Sequence, residues 1–120
     1  MGDFIISEGK NTPTVKFTAQ SCTLSITGKS YPENARKFYD EVYSRLDLKG
    51  IKEFTVVMDF DYVSSSSVIC MLEVLKKLKT NSGSTNFIVR FFYEKGDDDM
   101  LAVGENYEKI TGIKFEYLVK

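Results

Sequence analysis

Four consecutive hydroxyls, Ser64-Ser65-Ser66-Ser67, stand between an apolar run, Phe54 to Phe60, and a segment whose apolar residues recur at helical spacing. A strand turns into a helix at such a junction, and serine is among the best residues for capping the free N–H groups of a helix start. One hydroxyl, that of Ser64 or Ser65, suffices for a cap. The others then fall in the first helical turn at a strand's carboxyl end, where open α/β sheets hold their sites. Three further uses are open there. An anion, as in a small-ligand or nucleotide-binding domain, can lie on the free N–H groups at the positive end of the helix dipole. A phosphate can be added to one hydroxyl, placing roughly −1.5 to −2 charges on an interface. A serine can act as nucleophile, but only with a base beside it. Lys76, Lys77 and Lys79 lie two or more turns down the same helix, and no GxSxG or SxxK pattern is present.

The other reactive residue types are sparse. The 120 residues include no histidine, which excludes Ser-His-Asp and Cys-His catalysis, His-ligated zinc or haem, and an imidazole pH switch. Cys22 and Cys70 form no CxxC pair and read as reduced packing residues, so no metal set is expected from them. The acids Glu94, Asp97, Asp98, Asp99, Glu105 and Glu108 do not follow the alternation of an EF-hand loop. They read as helix-start acids favoured by the dipole, or as an acidic face for a basic partner. The eight glycines read as turn residues, with no phosphate-binding loop or dinucleotide fingerprint. No enzyme and no cofactor is expected.

Composition sets the frame. With 16 basic against 17 acidic residues there is no global charge to attract nucleic acid or an anionic membrane. No apolar run approaches the roughly 20 residues of a membrane helix, and Met1 to Ser7 lacks the basic start of a signal peptide. One cytoplasmic domain over residues 1–120 is the expectation.

The elements that must position the serines follow from periodicity. Thr14–Thr18 and Cys22–Thr27 alternate as strands joined by a short link, with Gly28 closing the second; residues 3–7 can add a fragment. Ser30-Tyr31-Pro32-Glu33 has the form of a capping box with proline in the first turn, opening a helix that carries Ala35, Phe38, Val42 and Leu46 inward. Phe54–Phe60 reads as the central strand, and Val68, Met71, Leu72, Leu75 and Leu78 as a second helix ending at Asn81-Ser82-Gly83-Ser84. Asn86–Tyr93 is a strand whose Phe91-Phe92-Tyr93 sends rings to both faces. Asp97-Asp98-Asp99 opens a third helix, with Met100, Val103, Tyr107 and Ile110 inward; Gly112 ends it, and Ile113–Val119 closes the chain. The order strand-strand-helix-strand-helix-strand-helix-strand predicts one α/β domain: three main helices on a mixed sheet of about five strands.

Asn11-Thr12-Pro13, Gly28-Lys29-Ser30-Tyr31-Pro32-Glu33-Asn34, Tyr62 with Ser64 to Ser67, and Tyr93-Glu94 with Asp97-Asp98-Asp99-Met100 occur in the order seen in the SiaC family of bacterial regulatory phosphoproteins. The chain resembles that family over nearly its whole length, most specifically in the SYPEN box. The resemblance implies a non-catalytic partner-switching protein, loosely similar in fold and logic to anti-sigma factor antagonists. It implies phosphorylation by a Ser/Thr kinase, removal of the phosphate by a PP2C-type phosphatase, and activation of a diguanylate cyclase, hence cyclic-di-GMP signalling, by the unmodified form. Carried over by position, Ser65 matches the acceptor, with Ser64 and Ser66 as alternates. Ser30, Tyr31, Pro32, Glu33, Asn34, Tyr62, Ser66 and Ser67 match the partner-binding surface. Ser64 stands where the family usually has asparagine, and Ile69 where a basic residue is common.

Overall fold

Strict alternation of large apolar residues forms the centre of the protein. In the computed structural model, which describes residues 2–83 and 86–120, Glu53–Val63 is one long strand, β4. Its Phe54, Val56, Met58 and Phe60 are buried while Thr55, Val57 and Asp59 are only partly so. Before it come β1 (Phe4–Ile6), β2 (Thr14–Thr18), β3 (Thr23–Ser30) and α1 (Ala35–Ser44); after it come α2 (Ser65–Ser82), β5 (Asn86–Tyr93), α3 (Asp98–Thr111) and β6 (Lys114–Val119).

The strands lie side by side in chain order, β1 to β6, in one six-stranded sheet. β1, β2 and β3 pair antiparallel; β3 to β6 pair parallel. Right-handed crossovers between successive parallel neighbours carry all three helices to the same face, which is why only one side of β4 is fully dry. α2 is the middle helix, touching α1 and α3, and its Met71, Val74, Leu75 and Leu78 fill the centre of the core. The mixed α/β class, the three helices and the central place of β4 agree with the sequence reading.

Several expectations are corrected. The sheet has six strands, not about five, because the fragment expected within residues 3–7 is a strand of its own, Phe4–Ile6, that pairs with β2, Phe4 stacking on Phe17 at 5.8 Å. Cys22 is not in β3. Its N–H closes a turn on the Ala19 carbonyl at 3.2 Å, and its φ of 51° breaks the extended backbone. Phe92 lies on the face without helices and is partly exposed, while Phe91 is buried. Ile110 is 55% exposed. Thr111 takes the inward place, its hydroxyl donating to the Tyr107 carbonyl at 2.7 Å. Ser84, at the end of the second predicted helix, lies outside the described residues; α2 ends at Ser82 with Gly83 as left-handed cap.

Gly28 does not close β3. The register slips there: Gly28 faces Phe60, but Lys29 faces Tyr62, leaving Asp61 as the extra residue of a bulge in β4. The slip reverses the alternation beyond it, so Tyr62 turns away from the core and is 52% exposed. Ser30 therefore ends a strand instead of capping a helix, and α1 is capped by Asn34, whose Oδ1 accepts from Lys37 N–H at 3.0 Å.

Gly104 is the one glycine whose place is dictated by packing within a helix. A Cβ there would lie 2.9 Å from Phe91 and 3.0 Å from Tyr117, so α3 sits on β5 and β6 only because that side chain is missing. Gly104→Ala is expected to lower unfolding stability by about 1–3 kcal/mol in urea titration, despite alanine's helix advantage of about 1 kcal/mol.

Candidate functional site

Single-proton bookkeeping separates the four serines. Ser64 caps α2: its Oγ accepts from Ser67 N–H at 3.2 Å, and its carbonyl accepts the first helical bond, from Val68 N–H at 2.9 Å. The Ser64 hydroxyl donates to Ser67 Oγ at 3.0 Å. Its one proton is then spent, so Ser66 Oγ, 3.3 Å away, must be the donor to Ser64. Ser30 Oγ also donates to Ser67, at 2.9 Å, so the Tyr39 hydroxyl, 2.6 Å from Ser30, donates to it. A chain of hydroxyls thus runs from Tyr39 of α1 through Ser30 of β3 to Ser67 and Ser64 of α2. The backbone repeats the tie, Ser64 N–H donating to the Ser30 carbonyl at 2.9 Å.

Ser65 stands outside this chain. It is exposed, and its hydroxyl bonds to no described residue. Ser66 is exposed but engaged with Ser64; Ser30 and Ser67 are fully buried. Of the residues expected at a partner surface, Ser30 and Ser67 consequently lie behind it, as supports. The expected capping box of Ser30 and Glu33 is replaced by the bulge and the Asn34 cap.

The remaining expected residues gather nearby. The Tyr31 and Tyr62 rings meet edge to face at 5.8 Å, both exposed, at the ends of β3 and β4. Tyr31 is held from behind, its N–H donating to Asn11 O at 2.9 Å and its hydroxyl to Lys10 O at 3.2 Å. This joins the Asn11-Thr12-Pro13 segment to Tyr31-Pro32-Glu33-Asn34. Pro32 is partly buried, Glu33 and Asn34 exposed. Ile69 lies one turn beyond Ser65 on α2 and is 59% exposed.

Beside Ser65 opens a groove of about 390 Å³ between the end of β4 and the starts of α2 and α3, lined by Asp61, Tyr62, Val63, Ser65, Val68, Asp97, Asp99, Met100 and Val103. The Asp97-Asp98-Asp99 run belongs here as a helix start: Asp97 Oδ1 accepts from Met100 N–H at 3.0 Å. Glu108 is used elsewhere, accepting from Phe115 N–H and the Tyr117 hydroxyl. Among the described residues no three acids or thiols are arranged to hold a metal.

Two buried tyrosines hold this helix start; the sequence reading missed Tyr39 and placed Tyr107 inward without a role for its hydroxyl. Tyr39, on the inner face of α1, starts the hydroxyl chain, and Tyr107 of α3 donates to the Val68 carbonyl at 2.5 Å. The first turn of α2 is thereby gripped from both sides. The available signal was that a tyrosine on an apolar helix face needs a partner for its hydroxyl.

Comparison with known proteins gives the family and the fold. A family model described as SiaC family regulatory phosphoprotein matches residues 6–120. An uncharacterized protein of Pseudomonas aeruginosa strain UCBPP-PA14 is 24% identical over 119 residues, 96% of this chain and 94% of that protein. The crystal structure of apo-SiaC from Pseudomonas aeruginosa superposes with a TM-score of 0.81 at 22% identity, covering 99% of this chain and 100% of that one. SiaC in complex with the diguanylate cyclase SiaD, which it activates, gives 0.83 at 19% identity over 98% and 100%.

The buried tyrosines set an alkaline limit. Burial pushes the Tyr39 phenol from 10.0 up to about 12 against the lowering effect of the Ser30 hydroxyl, and burial pushes Tyr107 well above the tyrosine range. A folded-state pKa above the unfolded one adds stability that is complete below pH 10 and lost as pH rises through about 12. The urea midpoint is expected to fall across that window together with rising phenolate absorbance, and Tyr39→Phe should remove part of the fall.

Proposed function

This chain belongs to the SiaC family of regulatory phosphoproteins, and on that premise we propose that it is a non-catalytic interaction module switched by phosphorylation of Ser65. The unmodified protein binds and activates a partner, a diguanylate cyclase, and so raises cyclic-di-GMP. A Ser/Thr kinase adds the phosphate and a PP2C-type phosphatase removes it, all in the cytoplasm. The docking surface is the exposed rim of Tyr31, Pro32, Glu33, Asn34, Tyr62, Ser65 and Ser66, with Ser30 and Ser67 beneath it.

The observation that carries this reading is the uncommitted Ser65 hydroxyl at the rim of a groove, among serines that are all engaged in hydrogen bonds to one another. A kinase needs an acceptor that reaches out without unfolding the helix start, and Ser65 meets that need. Phosphorylating Ser64 or Ser67 would break the cap and the buried chain. A phosphate at Ser65 leaves the fold intact while placing a strongly hydrated dianion where a partner must exclude water. The same geometry weighs against a resident anion site. The groove beside the helix start carries Asp61, Asp97 and Asp99, which repel an anion that the helix dipole alone would hold weakly.

Intact-mass and peptide mapping of protein purified from its own host tests the reading. A single phosphate on Ser65 is expected, lost in Ser65→Ala and retained in Ser66→Ala. Ser64→Ala should lower stability by about 1 kcal/mol through loss of the cap. Phosphate on Ser64 or Ser66, or none under any growth condition, would overturn the assignment. In a binding assay with a diguanylate cyclase from the same host, Ser65→Ala should keep affinity and Ser65→Asp should lose it incompletely.

A further inference from the structure

The groove beside Ser65 is chemically one-sided. Of its nine lining residues three are aspartates and none is lysine or arginine. Lys120 offsets Asp61, its Nζ lying 3.4 Å from that carboxylate and 2.6 Å from Asp59. Asp97 spends one oxygen on the α3 cap, and Asp99 is exposed with no partner among the described residues. Between these carboxylates the surface is apolar, with Val68, Met100 and Val103 below and the exposed Tyr62 ring at one lip. A hydrated metal ion would gain nothing from such a floor. A long basic side chain would gain from all of it, its stem on the apolar part and its charge at the rim.

We infer that the groove receives an arginine side chain of the partner protein, its stem along Val68, Met100 and Val103 and its guanidinium between Asp97, Asp99 and the Tyr62 ring. Arginine fits better than lysine because its planar head matches both a carboxylate edge and an aromatic face. This deepens the proposed function and rests on its reading of the Ser65 rim as a docking surface. It also fixes how the switch works. A phosphate on Ser65 releases the partner by its bulk and its hydration shell, which fill the mouth of the groove, against the attraction of its charge for the guanidinium. A small carboxylate at Ser65 does not fill that space, which is why Ser65→Asp is a weak mimic.

The test is an NMR titration of the full-length, unphosphorylated 15N-labelled protein with acetyl-Leu-Arg-Leu-amide, against acetyl-Leu-norleucine-Leu-amide at the same ionic strength. Saturable shifts for the arginine peptide are expected at the amides of residues 61–68 and 97–103, and binding about threefold weaker in Asp99→Asn, the loss of one part-screened ion pair. Equal shifts from both peptides, shifts spread over other acidic surfaces, or unchanged affinity in Asp99→Asn would overturn the inference. No phosphate enters this experiment, so its failure leaves the Ser65 assignment standing. A failed phosphosite mapping would in turn leave an arginine-binding groove.

Discussion

A buried hydroxyl chain, Tyr39 to Ser30 to Ser67 to Ser64, holds the first turn of α2, and the rest of the site depends on that turn staying fixed. Polar groups inside a core are costly unless each is paired. Here no buried side-chain nitrogen or oxygen among the described residues lacks a partner. The chain draws on α1, β3 and α2, so no one element can shift without leaving a hydroxyl unpaired. Tyr107 adds the fourth element, α3, through the Val68 carbonyl. A helix start would ordinarily be the part of a helix most prone to fray; this one is tied into the core by the two other helices and the sheet.

That constraint gives the exposed residues their roles. Because Ser64, Ser66 and Ser67 are committed, the hydroxyl left without a partner among the described residues is that of Ser65. Because β4 carries a bulge at Asp61, Tyr62 turns outward against Tyr31 and forms a lip of the groove. The bulge also aligns Ser30 with Val63, which sets the Ser30 side chain beneath Ser67. One irregularity in a ladder thus presents the aromatic lip and completes the buried chain. The acids that open α3 serve twice: Asp97 caps its own helix, and with Asp99 it makes the groove one that favours cations.

The placement of all helices on one face of the sheet has its own consequence for the candidate site. With sequential parallel strands, the carboxyl ends of β3 and β4 and the amino ends of α2 and α3 meet along one rim. Ser65, the proposed phosphoacceptor, and the exposed Tyr62 thus border the same groove.

Much of this was legible in the sequence. Alternation in β2 and β3, the apolar runs of β4 and β5, helical spacing in α2, and the caps at Ser64, Asp97 and Gly112 are local signals, set within a few residues of one another, and they determined the element order and the α/β class. The run of four serines marked the site for the same reason, since a strand-to-helix junction is written in adjacent residues. What the run could not say is which serine is free, because that turns on Ser30 and Tyr39, 37 and 28 residues from Ser67. Ser30 looked like a helix cap from its neighbours Pro32 and Glu33; the register slip against β4 overrode that local preference. Nor could the sequence show the groove, whose walls come from β4, α2 and α3. Local patterning determined what the elements are. Long-range hydrogen bonds and strand register, which exist only once distant segments are packed, decided which hydroxyl is left uncommitted and what it faces.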